Sequence, residues 1–222
     1  MAVAIVTGAS RGLGRALAAA LTDDGWSLVI DSRGEAELET TAQTLRPRLS
    51  PGSSMSVLAG DIADAAHRER LVRAAGELGG IDLVVNNASD LGPTPLPQLC
   101  AYTAAALRRV VEVNVLAPLG LVQAAAPLLR QSATPAVVNV TSDASVEAYE
   151  GWGGYGASKA ALDHVSAVLA VEEPWLRVWA VDPGDMRTKM HQDAFPGEDI
   201  SDRPLPETVV PELLTLIERR PR

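Results

Sequence analysis

Val3-Ala4-Ile5-Val6-Thr7-Gly8-Ala9-Ser10-Arg11-Gly12-Leu13-Gly14 decides the fold. A short apolar run is followed at once by glycines spaced Gly-x-x-x-Gly-x-Gly, then by the helix-favouring stretch Arg15–Thr22. A short run rich in Val and Ile reads as a strand buried on both faces. Glycines at a strand-to-helix turn let backbone amides approach a ligand closely. The helix N-terminus behind them adds free donors and the positive end of its dipole, which suits a pyrophosphate. A tight loop needing positive φ uses glycine too, so the rest of the chain has to choose between the two readings.

Working outward, the same alternation recurs. Apolar runs stand at Val3–Thr7, Leu28–Asp31, Ser56–Ala59, Leu83–Asn86, Ala136–Thr141 and Val178–Val181. Between them, Glu35–Arg46, Ala63–Leu78, Ala104–Leu116 with Leu119–Arg130, and Ser158–Val171 carry Ala, Leu, Glu and Arg at helical spacing. Strand then helix, repeated, predicts right-handed crossovers and an α/β fold. The expected architecture is a Rossmann-type doubly wound parallel sheet of about six strands with helices on both faces. The chain reads as one domain over 1–222, with a composition shift at 185–206 that reads as a long loop after the sixth strand.

Composition narrows the classes further. Hydrophobic residues are 47% of the 222, enough to exclude disorder, while aromatics are 4% with a single Phe. Ala, Val and Leu must therefore fill the core. A net charge of −9 disfavours nucleic acid and anionic membrane surfaces. Cys100 is the one cysteine, so no internal disulfide forms; it is expected to be a small buried hydrophobe in a reducing, cytoplasmic setting. Val113–Leu129 is broken by Asn114, Pro118, Gly120, Gln123 and Pro127, and is not expected to pass as a membrane span. His67, His164 and His191 are scattered, so no metal site is expected; His67 reads as solvated.

Further motifs follow in order: Asp61-Ile62 after the third run, Asn86-Asn87-Ala88-Ser89 after the fourth, Asn114 in the next helical region, Ser142 ending the fifth, Tyr155-Gly156-Ala157-Ser158-Lys159, and Pro183-Gly184 with Thr188 after the sixth. With the glycine turn, this series resembles the short-chain dehydrogenase/reductase family, in its short single-domain branch. The resemblance spreads over most of the chain. Ser89 stands where the family carries glycine, a small departure. The enoyl reductases of that family place Lys seven residues after Tyr, where this chain has Leu162.

The resemblance implies roles. Tyr155 and Lys159, one helical turn apart, would share a helix face. Tyr155 would give a proton to a carbonyl oxygen or take it back. Lys159 would lower the tyrosine pKa, since a nearby ammonium favours the phenolate, and would bond the nicotinamide ribose. Ser142 would steady the substrate oxygen, and Asn114 would hold a water relaying protons from Lys159. Thr141 competes with Ser142, but adjacent strand residues face opposite ways and the family spacing favours Ser142. Cofactor contacts are implied for Gly8, Ser10, Arg11, Gly12, Leu13, Gly14, Arg33, Asp61, Ile62, Asn87, Ala88, Tyr155, Lys159, Pro183, Gly184, Met186 and Thr188. Substrate contacts are implied for Ser89, Asp143, Tyr149, Trp152 and Met190, with His191 in the same late loop.

Two signals bear on the cofactor. Asp31, at the end of the second strand, is placed to bind the 2′-hydroxyl of NAD(H). Arg11 and Arg33 sit where family members using NADP(H) carry basic residues, and the family's NAD-selecting acid falls at Ser32. NADP(H) is therefore favoured over NAD(H). The expected function is a carbonyl reductase or alcohol dehydrogenase acting on a small carbonyl or alcohol. The alternative is a non-catalytic cofactor sensor on the same fold. Small apolar stretches at Ala124–Ala126 and Ala160–Ala170 predict a homodimer or higher homo-oligomer. The helical pattern Pro206–Ile217 runs into Glu218-Arg219-Arg220-Pro221-Arg222, so the family's usual seventh strand is expected to be missing.

Overall fold

The computed structural model describes residues 1–218. Six strands form one sheet: β1 (Val3–Val6), β2 (Ser27–Ser32), β3 (Met55–Ala59), β4 (Leu83–Asn86), β5 (Ala136–Val140) and β6 (Arg177–Val181). Their order is β3-β2-β1-β4-β5-β6, and every pairing is parallel. The order reverses between β1 and β4, and that switch point opens a crevice at the carboxyl ends of the strands. Among the described residues the sheet has no seventh strand, and the tail Arg219–Arg222 lies outside them.

Helices cover both faces. α1 (Gly12–Asp23) and α2 (Glu35–Leu45) pack on one side, joined by α8 (Val210–Glu218); Leu17, Leu21, Leu38 and Ile217 bury against Ala4, Val6, Leu28 and Ile30. α3 (Ala65–Glu77) and α5 (Ala117–Leu129) cover the other, with Leu71, Ala75 and Leu121 against Val3, Ile5, Val29 and Val84. Residues at alternate positions of each strand thus feed opposite cores, which is why the runs read as continuously apolar.

Several expectations need correction. α6 (Gly153–Glu172) begins five residues before the helical spacing that starts at Ser158, and two before Tyr155. Gly154 and Gly156 lie in its first turns although glycine disfavours helix. Both are needed for close approach: a β-carbon on Gly156 would lie 2.5 Å from the Ala144 carbonyl oxygen, and one on Gly154 would enter the Tyr102 ring. The 185–206 segment is not all loop, since it contains α7 (Lys189–Ala194), capped by Thr188.

α4 (Ala104–Val111) runs through a π-helical turn, Glu112–Leu116, into α5. The continuous helix Ala104–Leu129 is 26 residues and its most apolar 18-residue window has a mean hydropathy of 1.4, so by length and composition alone it is long and apolar enough for a span. Half of its most apolar window is buried inside the fold. Cys100 is exposed, not buried.

Candidate active site

The crevice at the strand ends is a cleft of about 430 Å³ running from the glycine turn to α6 and α7. Gly8, Ser10, Arg11, Gly12 and Leu13 wall its first end. Gly8 has φ +67° and Gly12 has φ +56°, the left-handed region where side chains are strained. α1 starts with no side-chain cap and no acid in its first turn, so its leading amides are left for an anion in the cleft. Gly14 does not line the cleft. It lets the turn close down: a β-carbon there would lie 2.6 Å from the Gly8 carbonyl oxygen and would strike the Asn87 amide. Asn87 Nδ2 donates to the carbonyls of Thr7 at 2.8 Å and Gly8 at 3.2 Å, stitching β4 to the turn.

The outer rim at this end is charged. Arg33 lines the cleft, with its side chain 61% exposed and a long 4.0 Å approach to Asp90. Asp61 and Ile62 line the opposite lip. Burial raises the Asp61 carboxyl, but bonds from the Ala63 amide and Arg109 prevail and hold it below its usual value. Arg109, which sequence reading missed, reaches Asp61 at 2.8 Å and lines the cleft. Glu37 also lines this end.

Asp31 is a surprise. It reaches the cleft wall, yet its side chain is 1% exposed and both oxygens are occupied. One accepts from the Gly8 amide at 2.9 Å and the other pairs with His67 Nε2 at 3.0 Å. His67 is fully buried, which overturns its reading as a solvated residue. Burial raises the Asp31 carboxyl, although its bonds to His67 and Gly8 pull the other way.

At the far end Val140, Thr141, Ser142, Tyr155 and Lys159 converge, with Ala88, Pro183, Gly184, Met186 and Thr188 alongside. Thr141 and Ser142 both line the cleft, so strand alternation does not separate them; β5 ends at Val140 and the chain turns. Thr141 Oγ1 is buried with no hydrogen-bond partner. Ser142 Oγ accepts from the Ala144 amide at 3.2 Å and donates to Asp143 at 3.0 Å. The Thr188 hydroxyl accepts from the His191 amide at 3.2 Å.

The pKa of Tyr155 moves opposite to expectation. Burial pushes the phenol up to about 12; bonds from Ser89 and Ser142 pull against this, while Asp182 and Asp143 add to it. Lys159 does not offset that burial. It is buried as well, which pushes its ammonium down to about 8, and its Nζ donates to the Val140 carbonyl at 2.7 Å. The ammonium lies 5.4 Å from the Tyr155 ring centroid. Two groups desolvated together each resist charge.

Asn114 lies beneath this end and does not line the cleft. Its side chain is 1% exposed and fully used. Oδ1 accepts from Ser89 Oγ at 3.1 Å and the Asp90 amide at 2.8 Å; Nδ2 donates to the Asp90 carbonyl and Ser158 Oγ, each at 2.9 Å. The side-chain amide therefore has no group left for a relay water. The π-helical turn around it changes the hydrogen bonding of the surrounding backbone.

Of the substrate candidates, Ser89, Asp143, Trp152 and Met190 line the cleft, together with His191. Tyr149 does not; it is exposed and its hydroxyl donates to Asp143 at 2.9 Å. Trp152 meets Tyr155 edge-on at 5.6 Å, and Phe195 at 5.9 Å. Asp182 and Asp185, which sequence reading passed over, complete the wall. Among the described residues no cluster of His, Cys, Asp and Glu is placed to hold a metal.

Residues 2–199 match the family model described as short chain dehydrogenase. Sepiapterin reductase of Mus musculus is 34% identical over 201 residues, covering 86% of this chain and 77% of that protein. A short chain dehydrogenase from Shigella flexneri, solved in complex with NADP, superposes with a TM-score of 0.89 at 30% identity, covering 97% of this chain and 90% of that one. An alcohol dehydrogenase from the archaeon Thermococcus sibiricus, complexed with 5-hydroxy-NADP, gives 0.87 at 27% identity, with 99% and 92% covered.

Proposed function

The chain belongs to the short-chain dehydrogenase family, and from that premise we propose that it is an NADP(H)-dependent oxidoreductase interconverting a carbonyl and an alcohol, with Tyr155 as acid and base. The observation that carries this reading is the meeting of Ser142, Tyr155 and Lys159 at one end of a cleft whose other end is the glycine turn. Relatives named as a reductase and as an alcohol dehydrogenase support the reaction class, and two solved with NADP or its 5-hydroxy form support the cofactor.

The residues fit such a dinucleotide. The uncapped start of α1 suits the pyrophosphate, and Gly8 and Gly12 keep side chains out of its way. Arg33 and Arg11 stand at the rim where a 2′-phosphate would bind, and Ser32 lies beside them. When bound, the nicotinamide supplies the hydride chemistry.

The protein manages the proton. A phenol pushed up to about 12 is fully protonated at neutral pH, the form that donates to a carbonyl oxygen as charge builds there. Ser142 offers its hydroxyl to the same oxygen once it leaves Asp143. Lys159 brings its charge to the cleft floor, where it would bond a ribose hydroxyl of the dinucleotide and steady the phenolate left behind. Asn114 holds Ser89, Asp90 and Ser158 in place. Ser89, Asp143, Trp152 and Met190 shape the pocket for a small carbonyl compound, and Tyr149 acts by fixing Asp143. Exposed Leu116, beside α5, and Val168 and Val171 on α6 suit a homodimer face.

Tyr155→Phe tests the reading. With NADPH and a carbonyl panel, turnover should fall by about 10²–10⁴-fold while NADPH still binds. Equal turnover by both proteins would reject Tyr155 as the proton donor and favour a cofactor-sensing role.

A further inference from the structure

A buried polar array behind the glycine turn is unused by the chemistry above. Asp31 is the last residue but one of β2 and His67 stands on α3, and both are buried. Arg70, one turn further along α3, approaches His67 Nδ1 at 2.9 Å. A guanidinium only donates, so Nδ1 accepts and the ring proton sits on Nε2, aimed at Asp31. His67 Nε2 thereby donates to the Asp31 carboxylate at 3.0 Å. Space for the ring comes from Gly60, where any β-carbon would enter the imidazole. The other Asp31 oxygen holds the Gly8 amide, and its backbone carbonyl accepts from the Ala9 amide at 2.8 Å. Two successive amides of the turn hang on one residue.

This matters because of where the carboxylate stands. An acid at the end of the second strand binds a ribose 2′-hydroxyl and repels a 2′-phosphate. Asp31 already reaches the cleft wall. Only its two bonds keep its charge engaged inward, away from the rim where Arg11 and Arg33 stand among Glu37, Asp61 and Arg109.

We propose that His67 is a specificity-determining positioning residue: by holding the Asp31 carboxylate onto the glycine turn, it makes a second-strand acid compatible with NADP(H). This rests on the NADP(H) reading above. Without the imidazole, one carboxylate oxygen loses its partner, and the side chain turns into the cleft to seek another donor.

The test is equilibrium binding of NADPH and NADH to the folded protein by titration calorimetry at fixed ionic strength. His67→Leu should move the NADPH-to-NADH ratio of Kd values toward NADH by about tenfold, the factor that ~1.4 kcal/mol supplies. His67→Gln, whose amide can still donate, should stay near the wild type. Asp31→Asn added to His67→Leu should restore the ratio, because the charge is gone. Should His67→Leu fail to fold, His67→Ser removes the same donor with room for water and should shift the ratio the same way. Equal weakening of both cofactors, an unmoved ratio, or no restoration by Asp31→Asn would overturn the proposal. A wild type that binds NADH more tightly would instead overturn the NADP(H) reading, since the His67 effect is read relative to the wild type.

Discussion

Lys159 should make stability depend on pH in a way a lysine seldom does. Its side chain is 2% exposed on α6, with Nζ bonded to the Val140 carbonyl. Burial pushes its ammonium from 10.5 down to about 8; Asp163 pulls upward without prevailing. A pKa lower in the folded than in the unfolded chain means the unfolded chain holds more protons between the two values. Stability must then rise with pH across that window. Below about 8 the buried charge costs about 3 kcal/mol, each pH unit of separation carrying ~1.4 kcal/mol. Lys159→Met removes the titration altogether. In urea unfolding of the cofactor-free protein, the wild type should gain about 2 kcal/mol on the variant between pH 7 and 9.5. All other groups titrate in both proteins and cancel. The variant also strands the Val140 carbonyl, which shifts the offset between the curves but not its slope. A difference in stability that stays flat from pH 7 to 9.5, or that falls, would refute the reasoning.

Gly14→Ala drives a methyl against the Gly8 carbonyl and the Asn87 amide, so it should cost about 1–3 kcal/mol in urea unfolding and weaken NADPH in calorimetry. Asn114→Ala removes the partner of four hydrogen bonds in a buried setting; a loss of about 2–4 kcal/mol is expected by thermal and urea unfolding. Arg33→Ala should raise the KM for NADPH about tenfold with little effect on NADH, because only the former carries a 2′-phosphate for the guanidinium. Light scattering at micromolar concentration should report a dimer, and a monomer there would count against the α5 and α6 face.

Much of the site was legible because its signals are local. The glycine spacing needs only a turn and a helix start, and Tyr155 and Lys159 need only one helical turn between them. Asn86-Asn87 ends a strand wherever that strand lies. What escaped was set by partners far along the chain. His67 looked like a lone helix histidine, and nothing near it in sequence marks Asp31 as its partner. Arg109 meets Asp61 from α4, far along the chain. Nothing beside Gly154 and Gly156 says why glycine stands there, because the Tyr102 ring and the Ala144 carbonyl that require them come from elsewhere.

The sequence by itself determined the class of sheet, the position of the glycine turn, the ordered motifs and hence the family. Those follow from period, turn geometry and spacing, which one stretch of chain states alone. Only the tertiary structure decided the electrostatics. Lys159 was expected to lower the Tyr155 pKa, yet packing removed water from both groups and pushed the phenol up to about 12. Asp31 could be read as a ribose ligand or as none, and packing decided it: His67 of α3 and the Gly8 amide take its two oxygens. Charge depends on desolvation and on which donors arrive from distant elements, and neither is written in the neighbouring residues.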